Sequence, residues 1–419
     1  MDTLLIKGGK SLRGTVKISG AKNAALPILA STILSRGTSI IHNVPQLSDV
    51  DVIVQILSSL GVAVHRRSDQ ALVCCVNEET SYAAPSELVK KMRASICVLG
   101  PLLAKRKKAR IAFPGGCVIG DRPIDLHLKG MEALGAHVQV ENNHIELTAQ
   151  KLNGNSIYLG SSFGSTVLGT ANVMMAAVLA RGKTTIKNAA CEPEVEELAK
   201  FLNKMGAQIS GIGSRTLIIE GVDELRGTEH RIISDRIEAG TFMIAAAMTR
   251  GSVELLNANP LYLQSIITTL KKMGTVIVEE SNRIVVEGKD NYLPVSIETT
   301  PYPGFPTDLQ AQLTSMLTII PGVSCVTEKI YPHRFAYVKE LLKMGACIEQ
   351  KKASVYIEGI KTLKGTTVFA SDLRASAALV LAGLVAVGET QIKQIHHIQR
   401  GYENLQVKLS YLGADINYK

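Results

Sequence analysis

The chain has 419 residues, with 46 Lys+Arg against 37 Asp+Glu, a formal net charge of +9 and 46% apolar residues. That is enough chain for about two to three domains with large cores, and it excludes disorder as a description of the whole. With no Trp, 4% aromatics and seven cysteines lacking any CxxC pair, it offers no stacking platform for nucleic acid, no disulfide framework and no zinc knuckle.

No run approaches about 18 apolar residues, and the first ten residues carry neither a basic nor a hydrophobic signal region. A cytoplasmic protein without membrane insertion is expected. The N-terminal part predicts a strand over 15–20, followed by Lys22-Asn23 at the entry to an apolar helix over 24–34. A lysine, an amide and free backbone N–H groups at a helix start suit an anion; a solvated turn is the alternative. A strand follows at 38–42. Arg93, in Val89-Lys-Lys-Met-Arg-Ala-Ser-Ile, precedes the next apolar run and reads as functional or as helix surface. Lys105, Arg106, Lys107, Lys108 and Arg110 form the one dense basic cluster, a solvated turn or a polyanion site.

The segment Phe113-Pro-Gly-Gly-Cys-Val-Ile-Gly-Asp-Arg-Pro is too rich in glycine for a packed element and predicts an accessible, mobile loop around Cys117. Arg122 and the upstream cations favour its thiolate. Cys97, Cys191, Cys325 and Cys347 are expected to be buried and inert. Farther on come an apolar helix at 173–179, strands at 184–187 and 215–221, and a segment at 222–229 that reads as a crossing between domains. Apolar helices recur at 240–248 and 376–385. Asp308 follows three prolines in six residues, which fix an extended approach, and meets an apolar helix start; helix capping is the alternative to a chemical role. Asp372 and Arg374 take the equivalent junction later, and Arg400 follows a strand. His396-His397 would point apart on that strand, so no metal site is expected there.

Gly61, Gly135, Gly206, Gly274, Gly345 and Gly413 recur roughly 70 residues apart, each closing an amphipathic stretch such as 194–205 or 263–273. A glycine there supplies the left-handed cap before a strand. Each unit reads as strand, buried helix, strand, surface helix and two strands around a turn. Six such units divide into two domains of three, with sheets packed around buried helices. GxGxxG, GxxxxGKS/T and HExxH are all missing, which removes support from Rossmann, P-loop and zinc-hydrolase readings.

The residues singled out lie in longer matching runs: Ile18-Ser-Gly-Ala-Lys-Asn-Ala-Ala-Leu-Pro, Lys90-Lys-Met-Arg-Ala-Ser-Ile, Pro114-Gly-Gly-Cys-Val-Ile-Gly-Asp-Arg-Pro-Ile-Asp-Leu-His, Pro303-Gly-Phe-Pro-Thr-Asp-Leu-Gln-Ala-Gln and Ser371-Asp-Leu-Arg-Ala-Ser. Through them the chain resembles, end to end, the UDP-N-acetylglucosamine enolpyruvyl transferase family of the EPSP synthase superfamily. The resemblance implies a two-domain inside-out α/β barrel of six βαβαββ repeats. It places one domain at 22–233, carrying the Cys117 loop, and the other at 1–21 with 234–419, with the active site in the cleft between them. It further implies transfer of enolpyruvyl from phosphoenolpyruvate to the 3′-hydroxyl of UDP-N-acetylglucosamine with release of phosphate, the first committed step of peptidoglycan synthesis. No metal or organic cofactor is needed for such an addition–elimination, and a monomer or weak oligomer is expected.

Residue by residue, the resemblance gives Cys117 the role of proton donor and covalent adduct site, and Asp308 that of base for the sugar hydroxyl. Lys22, Arg93, Arg122, Arg374 and Arg400 match residues that hold phosphoenolpyruvate, Lys22 and Arg400 serving catalysis as well. Asn23, Arg93, Arg122, Pro123, Ile124, Asp125, Leu126, Val167, Asp308 and Ile330 match the sugar-nucleotide contacts. Arg334 and Asp372 are expected near the site without an assigned role. The chain departs from the family at Thr166-Val-Leu-Gly-Thr170, where the family has Ser-Val-Gly-Ala-Thr; Ser162-Phe-Gly-Ser-Thr166 is the shifted alternative. The shikimate-pathway enolpyruvyl transferases share the implied fold but lack the Pro-Gly-Gly-Cys loop, and a non-catalytic nucleotide-sugar sensor is the reading from another class.

Overall fold

The six repeated glycines do what their spacing requires. In the computed structural model, which describes residues 3–116 and 123–419, they follow the surface helices Ser48–Ser59, Asp125–Ala133, Pro193–Lys204, Gln264–Met273, Val338–Lys343 and Leu405–Tyr411. All six glycines have φ between 81° and 112°, a region that side chains with a Cβ resist, and the chain turns there directly into a strand. Each surface helix buries one stripe; in Pro193–Lys204 it includes Val195, Leu198, Phe201 and Leu202.

A second set of helices is buried nearly all round: Lys22–Ser31, Leu99–Arg106 extended by the 3-10 turn Arg93–Val98, Val167–Ala177, Arg236–Met248, Thr307–Leu317 and Leu373–Val385. In Arg236–Met248 every residue from Ile237 onward is buried. These helices begin earlier than their apolar runs predict. The sequence places starts at 173, 240 and 376, whereas the helices start at Val167, Arg236 and Leu373. Their first turns carry polar or charged residues, so hydrophobic periodicity alone begins a turn late.

After each buried helix comes a strand that pairs antiparallel on one side and, on the other, parallel to a short strand or bridge. Thr38–His42, Lys183–Lys187, Ser252–Leu256, Val323–Thr327 and Glu389–Lys393 hold this place in five four-stranded sheets. Lys108–Ala112 holds it in a three-stranded sheet, where the bridge Ala83–Arg110 supplies the parallel side. Sheets therefore enclose helices, the inverse of ordinary α/β layering.

The chain forms two compact units, residues 20–116 with 123–233 and residues 3–19 with 234–419. In the first, Asn172 joins the buried helical segments: its Oδ1 accepts from Gly100 N at 2.9 Å, and its Nδ2 donates to Ile96 O at 3.0 Å and meets His127 Nδ1 at 3.0 Å. In the second, Thr3–Lys7 inserts between Glu389–Lys393 and Asp415–Tyr418 and supplies the strand that the last sheet lacks. Connectivity and pairing are exchanged at the two crossings. Arg13–Lys17 leads into the helix Lys22–Ser31 yet pairs with Ser252–Leu256, while Glu229–Arg231 leads toward Arg236–Met248 yet pairs with Thr38–His42.

The segment 222–229, expected to cross between domains, stays in the first unit. Leu225–Arg226 pairs with Ser35–Arg36 and Glu229 begins the next pairing, so its polar sequence reflects edge strands rather than a linker. In the second unit, Lys408 Nζ reaches Ser19 Oγ at 2.7 Å and the carboxylate of Glu238, Ser19 N donates to Glu238 Oε2 at 2.9 Å, and Ser19 Oγ donates to Glu403 Oε2 at 2.5 Å. His396 and His397 are not on a strand: the 3-10 turn Ile395–Arg400 brings their ring centres to 4.2 Å, where a strand would have separated them.

Candidate functional site

In the second unit, the prolines before Asp308 deliver it to the second residue of the buried helix Thr307–Leu317. It does not cap that helix. Its carboxylate bridges two guanidiniums, with Oδ1 2.8 Å from Arg334 Nη1 and Oδ2 3.0 Å from Arg374 Nη2. The arginine side chains are 9% and 4% exposed and that of Asp308 is 27%, so the pairing is shielded while one edge of the carboxylate stays reachable. Burial alone would push Asp308 up, but the charges of Arg374 and Arg334 and their hydrogen bonds hold it well below the usual carboxylate range. Burial likewise works against both guanidiniums, and Asp308 overcomes it.

Arg374 is set by its own helix start. Asp372 caps Leu373–Val385, its Oδ1 accepting from Arg374 N at 2.8 Å and Ala375 N at 3.1 Å. The guanidinium of Arg374 lies over the Tyr402 ring at 5.4 Å, and Tyr402 OH is met by Thr241 Oγ1 at 2.9 Å and Gln312 Nε2 at 3.0 Å. Half-buried Arg400 ends the 3-10 turn packed on the same helix. The following Gly401 permits that approach, since a Cβ there would come within 2.5 Å of Leu373. Ile330 lies in a turn whose N–H groups point to Glu328: Ile330 N and Tyr331 N donate to Glu328 Oε1 at 2.8 and 3.0 Å.

In the first unit, Lys22 opens the buried helix Lys22–Ser31 and Asn23 is exposed beside it. Lys22 is no solvated turn residue: its side chain is 11% exposed and its Nζ sits 3.0 Å from Asp49 Oδ2. Arg93 opens the 3-10 turn and is half-buried, with Nη2 3.4 Å from Pro123 O. Exposed Pro123 and half-buried Ile124 precede the helix Asp125–Ala133, whose first two residues are exposed Asp125 and half-buried Leu126. Val167, 37% exposed, opens Val167–Ala177, which Thr166 caps by accepting from Gly169 N at 3.2 Å. The shifted motif around Ser162 forms the small hairpin Gly160–Ser161 with Gly164–Ser165.

Lys22, Arg93, Val167, Asp308 and Arg374 thus share one address, the first turn of a buried helical segment. A helix start favours anions and anionic groups. Cys117 and Arg122 lie outside the described residues. Pro114 to Gly116, which the glycine content marks as mobile, are packed: a Cβ on Gly115 would lie 1.8 Å from Lys90 O, and one on Gly116 2.9 Å from Arg93 N. Close approach, not looseness, requires these two glycines.

Much of the basic cluster makes internal contacts. Arg106 donates to Leu60 O at 2.7 Å and also to Ser81 O, Lys105 pairs with Glu79 at 3.4 Å, and Lys108 pairs with Glu146 at 2.9 Å. Among the other cysteines, burial pushes Cys74 and Cys97 up to about 12, in line with inert thiols. Cys347, expected to be buried, is exposed at the start of the strand Cys347–Lys351, and Cys191 and Cys325 are half-buried. Asp49, Glu328, Thr241 and Tyr402 were not singled out by sequence, because only tertiary packing brings them against Lys22, Thr307, Gln312 and Arg374; Gln312 and Thr307 lay inside a matching run without a role. No group of three or more metal-ligating side chains occurs among the described residues, and no described helix is long and apolar enough to cross a membrane.

The family described as EPSP synthase (3-phosphoshikimate 1-carboxyvinyltransferase) matches residues 6–409. UDP-N-acetylglucosamine 1-carboxyvinyltransferase of Methylacidiphilum infernorum is 50% identical over 416 residues, covering 99% of this chain and 98% of the relative. The protein of the same name from Myxococcus xanthus is 48% identical over 418 residues, covering 99% of both. The fold is that of the enolpyruvyl transferase NikO from Streptomyces tendae, with a TM-score of 0.89 at 23% identity over 99% of this chain and 98% of that one. It is also that of EPSP synthase from Acinetobacter baumannii, with a TM-score of 0.78 at 17% identity over 100% and 99%. The chain belongs to the EPSP synthase family and, within it, to the UDP-N-acetylglucosamine 1-carboxyvinyltransferases.

Proposed function

We propose that this protein transfers the enolpyruvyl group of phosphoenolpyruvate to the 3′-hydroxyl of UDP-N-acetylglucosamine and releases phosphate, committing the sugar nucleotide to peptidoglycan synthesis. The observation that carries this reading is the Arg334–Asp308–Arg374 bridge, in a chain half identical to relatives named for that transfer. In addition, the sugar oxygen bonds to C2 of phosphoenolpyruvate, a proton goes to C3 from Cys117, and the hydroxyl proton passes to Asp308. Elimination then returns a proton from C3 and expels phosphate. The tetrahedral intermediate keeps both carboxylate and phosphate, so fixed cations around it stabilise the charge without reorganising.

Lys22, Arg93, Arg122, Arg374 and Arg400 are assigned to phosphoenolpyruvate. Asn23, Arg93, Arg122, Pro123, Ile124, Asp125, Leu126, Val167, Asp308 and Ile330 are assigned to the sugar nucleotide. Residues 22–233, and 1–21 with 234–419, are taken as the two enolpyruvyl transferase domains, both contributing to one reaction. Asp308 held by two arginines is a weak base. When the carboxylate of phosphoenolpyruvate draws Arg374 onto itself, Asp308 loses one of its two counter-charges and becomes more basic as the substrate arrives. Lys22 is freed in the same manner if the phosphate competes with Asp49.

The test is phosphate release from phosphoenolpyruvate with UDP-N-acetylglucosamine, without it, and with shikimate 3-phosphate instead. Release only with the sugar nucleotide is expected. Release with shikimate 3-phosphate, or with neither acceptor, overturns the proposal.

A further inference from the structure

Glu328 is fully buried, at 0% exposure, and both oxygens of its carboxylate accept hydrogen bonds. Oε1 accepts from Thr299 Oγ1 at 2.5 Å, Ile330 N at 2.8 Å and Tyr331 N at 3.0 Å, and Oε2 accepts from Thr307 Oγ1 at 2.8 Å. A buried carboxylate needs such compensation, and here the donors come from three separate stretches of chain, at Thr299, at Thr307 and at Ile330–Tyr331. Thr307 then has a fixed polarity. Its proton points to Glu328, so its lone pairs are presented to Arg334, whose Nη1 donates to Thr307 Oγ1 at 3.0 Å and to Asp308 Oδ1 at 2.8 Å.

A second route runs through the turn. Glu328 fixes Tyr331 by its N–H, Tyr331 O accepts from Arg334 N at 2.9 Å, and the Arg334 guanidinium lies 5.9 Å from the centre of the Tyr331 ring. Both routes from Glu328 end on the same guanidinium. We propose that Glu328 is a positioning residue that holds Arg334 against Asp308, acting through the Thr307 hydroxyl. This rests on the enolpyruvyl-transfer reading for its kinetic consequence and on geometry alone for the placement. A partner one step from a reacting group commonly controls that group's orientation.

Glu328→Gln separates the two routes. The amide oxygen can keep the bonds to Thr299, Ile330 and Tyr331, while an NH2 group replaces Oε2 opposite Thr307 and takes away the acceptor for its proton. Thr307→Val removes the hydroxyl, and Thr307→Ser keeps it. Glu328→Gln and Thr307→Val are each expected to lower kcat about tenfold, with the KM for UDP-N-acetylglucosamine changing less than about threefold. Thr307→Ser is expected to stay near wild type. The double variant Glu328→Gln with Thr307→Val should lose no more than either single one, because both break the same link. Losses that multiply in the double variant, or a Glu328→Gln enzyme with wild-type kcat, overturn the proposal. If the wild-type protein releases no phosphate with these substrates, the functional reading fails separately. Crystal structures then decide the placement: a longer Arg334–Asp308 separation in Glu328→Gln supports it, and an unchanged one overturns it.

Discussion

Asp308 and Arg374 are each the second residue of a buried helix, and their side chains meet at 3.0 Å. A carboxylate and a guanidinium placed on two rigid, deeply packed supports hold their geometry without relying on loops. Arg374 is 4% exposed, so the partner that replaces Asp308 must be an anion delivered to that spot.

Replacing Asp308 by Asn keeps its size and one acceptor oxygen but removes the charge. Turnover is expected to fall by about 10² to 10⁴, the range for a positioned general base. UDP-N-acetylglucosamine affinity by calorimetry should change far less, because uridine and diphosphate supply remote binding. Lost nucleotide binding with near-normal residual turnover would contradict the assignment.

The Glu238 carboxyl should make stability depend on pH in an unusual direction. Burial pushes it up to about 7, although Lys408 pulls the other way. An unfolded glutamate titrates near ~4.3, so the folded value is raised. Its contribution is then fully present below the unfolded value and lost as pH rises through the folded one. Thermal melts of wild type and Glu238→Gln between pH 4 and 8 check this on the ~4.3-to-7 window. The wild type should lose Tm relative to the variant as pH rises; parallel curves would refute it.

Asn172→Ala should destabilise the protein by about 2–4 kcal/mol, since it takes the side-chain acceptor from Gly100 N in the buried interior and removes the amide's contacts with Ile96 O and His127. Urea unfolding measures the difference. A change under about 0.5 kcal/mol would mean that water or a shift of the helices replaces the amide.

Thiol chemistry should separate two cysteines by reagent. The family's sensitivity to the epoxide antibiotic fosfomycin is expected to carry over, with modification on Cys117 and faster reaction when UDP-N-acetylglucosamine is present. A general alkylating agent should also reach exposed Cys347 but spare Cys74 and Cys97, whose buried thiols stay protonated. Peptide mass mapping after short exposures distinguishes these sites. Fosfomycin on Cys347 while Cys117 stays free would overturn the role of Cys117.

Much of this architecture is legible in the sequence because it depends on local physics repeated six times. A glycine at Gly61 or Gly274 marks a left-handed cap, and the apolar runs at 240–248 and 376–385 mark helices without a wet face. The starts of those helices are not legible in that way, since Arg236 and Arg374 look like loop residues to a hydrophobicity pattern. The sequence motifs point to Asp308 and Arg374 but not to Asp49, Glu328 or Tyr402. Those three act through pairings set by tertiary packing, and a buried glutamate has the same letter as an exposed one. Gly115 and Gly116 show the opposite failure, being read as looseness where the backbone is crowded.

The inserted N-terminal strand has a consequence for synthesis on the ribosome. Thr3 pairs with Lys393 and Leu4 with Tyr418, so Thr3–Lys7 has no partner until residues 389–418 have been made. The residue 20–233 unit, by contrast, has all its strands once Arg231 is available, and it can close while the rest of the chain is still being added. During that interval Thr3–Lys7 is an unpaired edge, and Arg13–Lys17 is one until Ser252–Leu256 is made, both open to capture by other chains. Their flanking charges, Lys7, Lys10, Arg13 and Lys17, put cations along an otherwise apolar segment and keep it soluble during the wait.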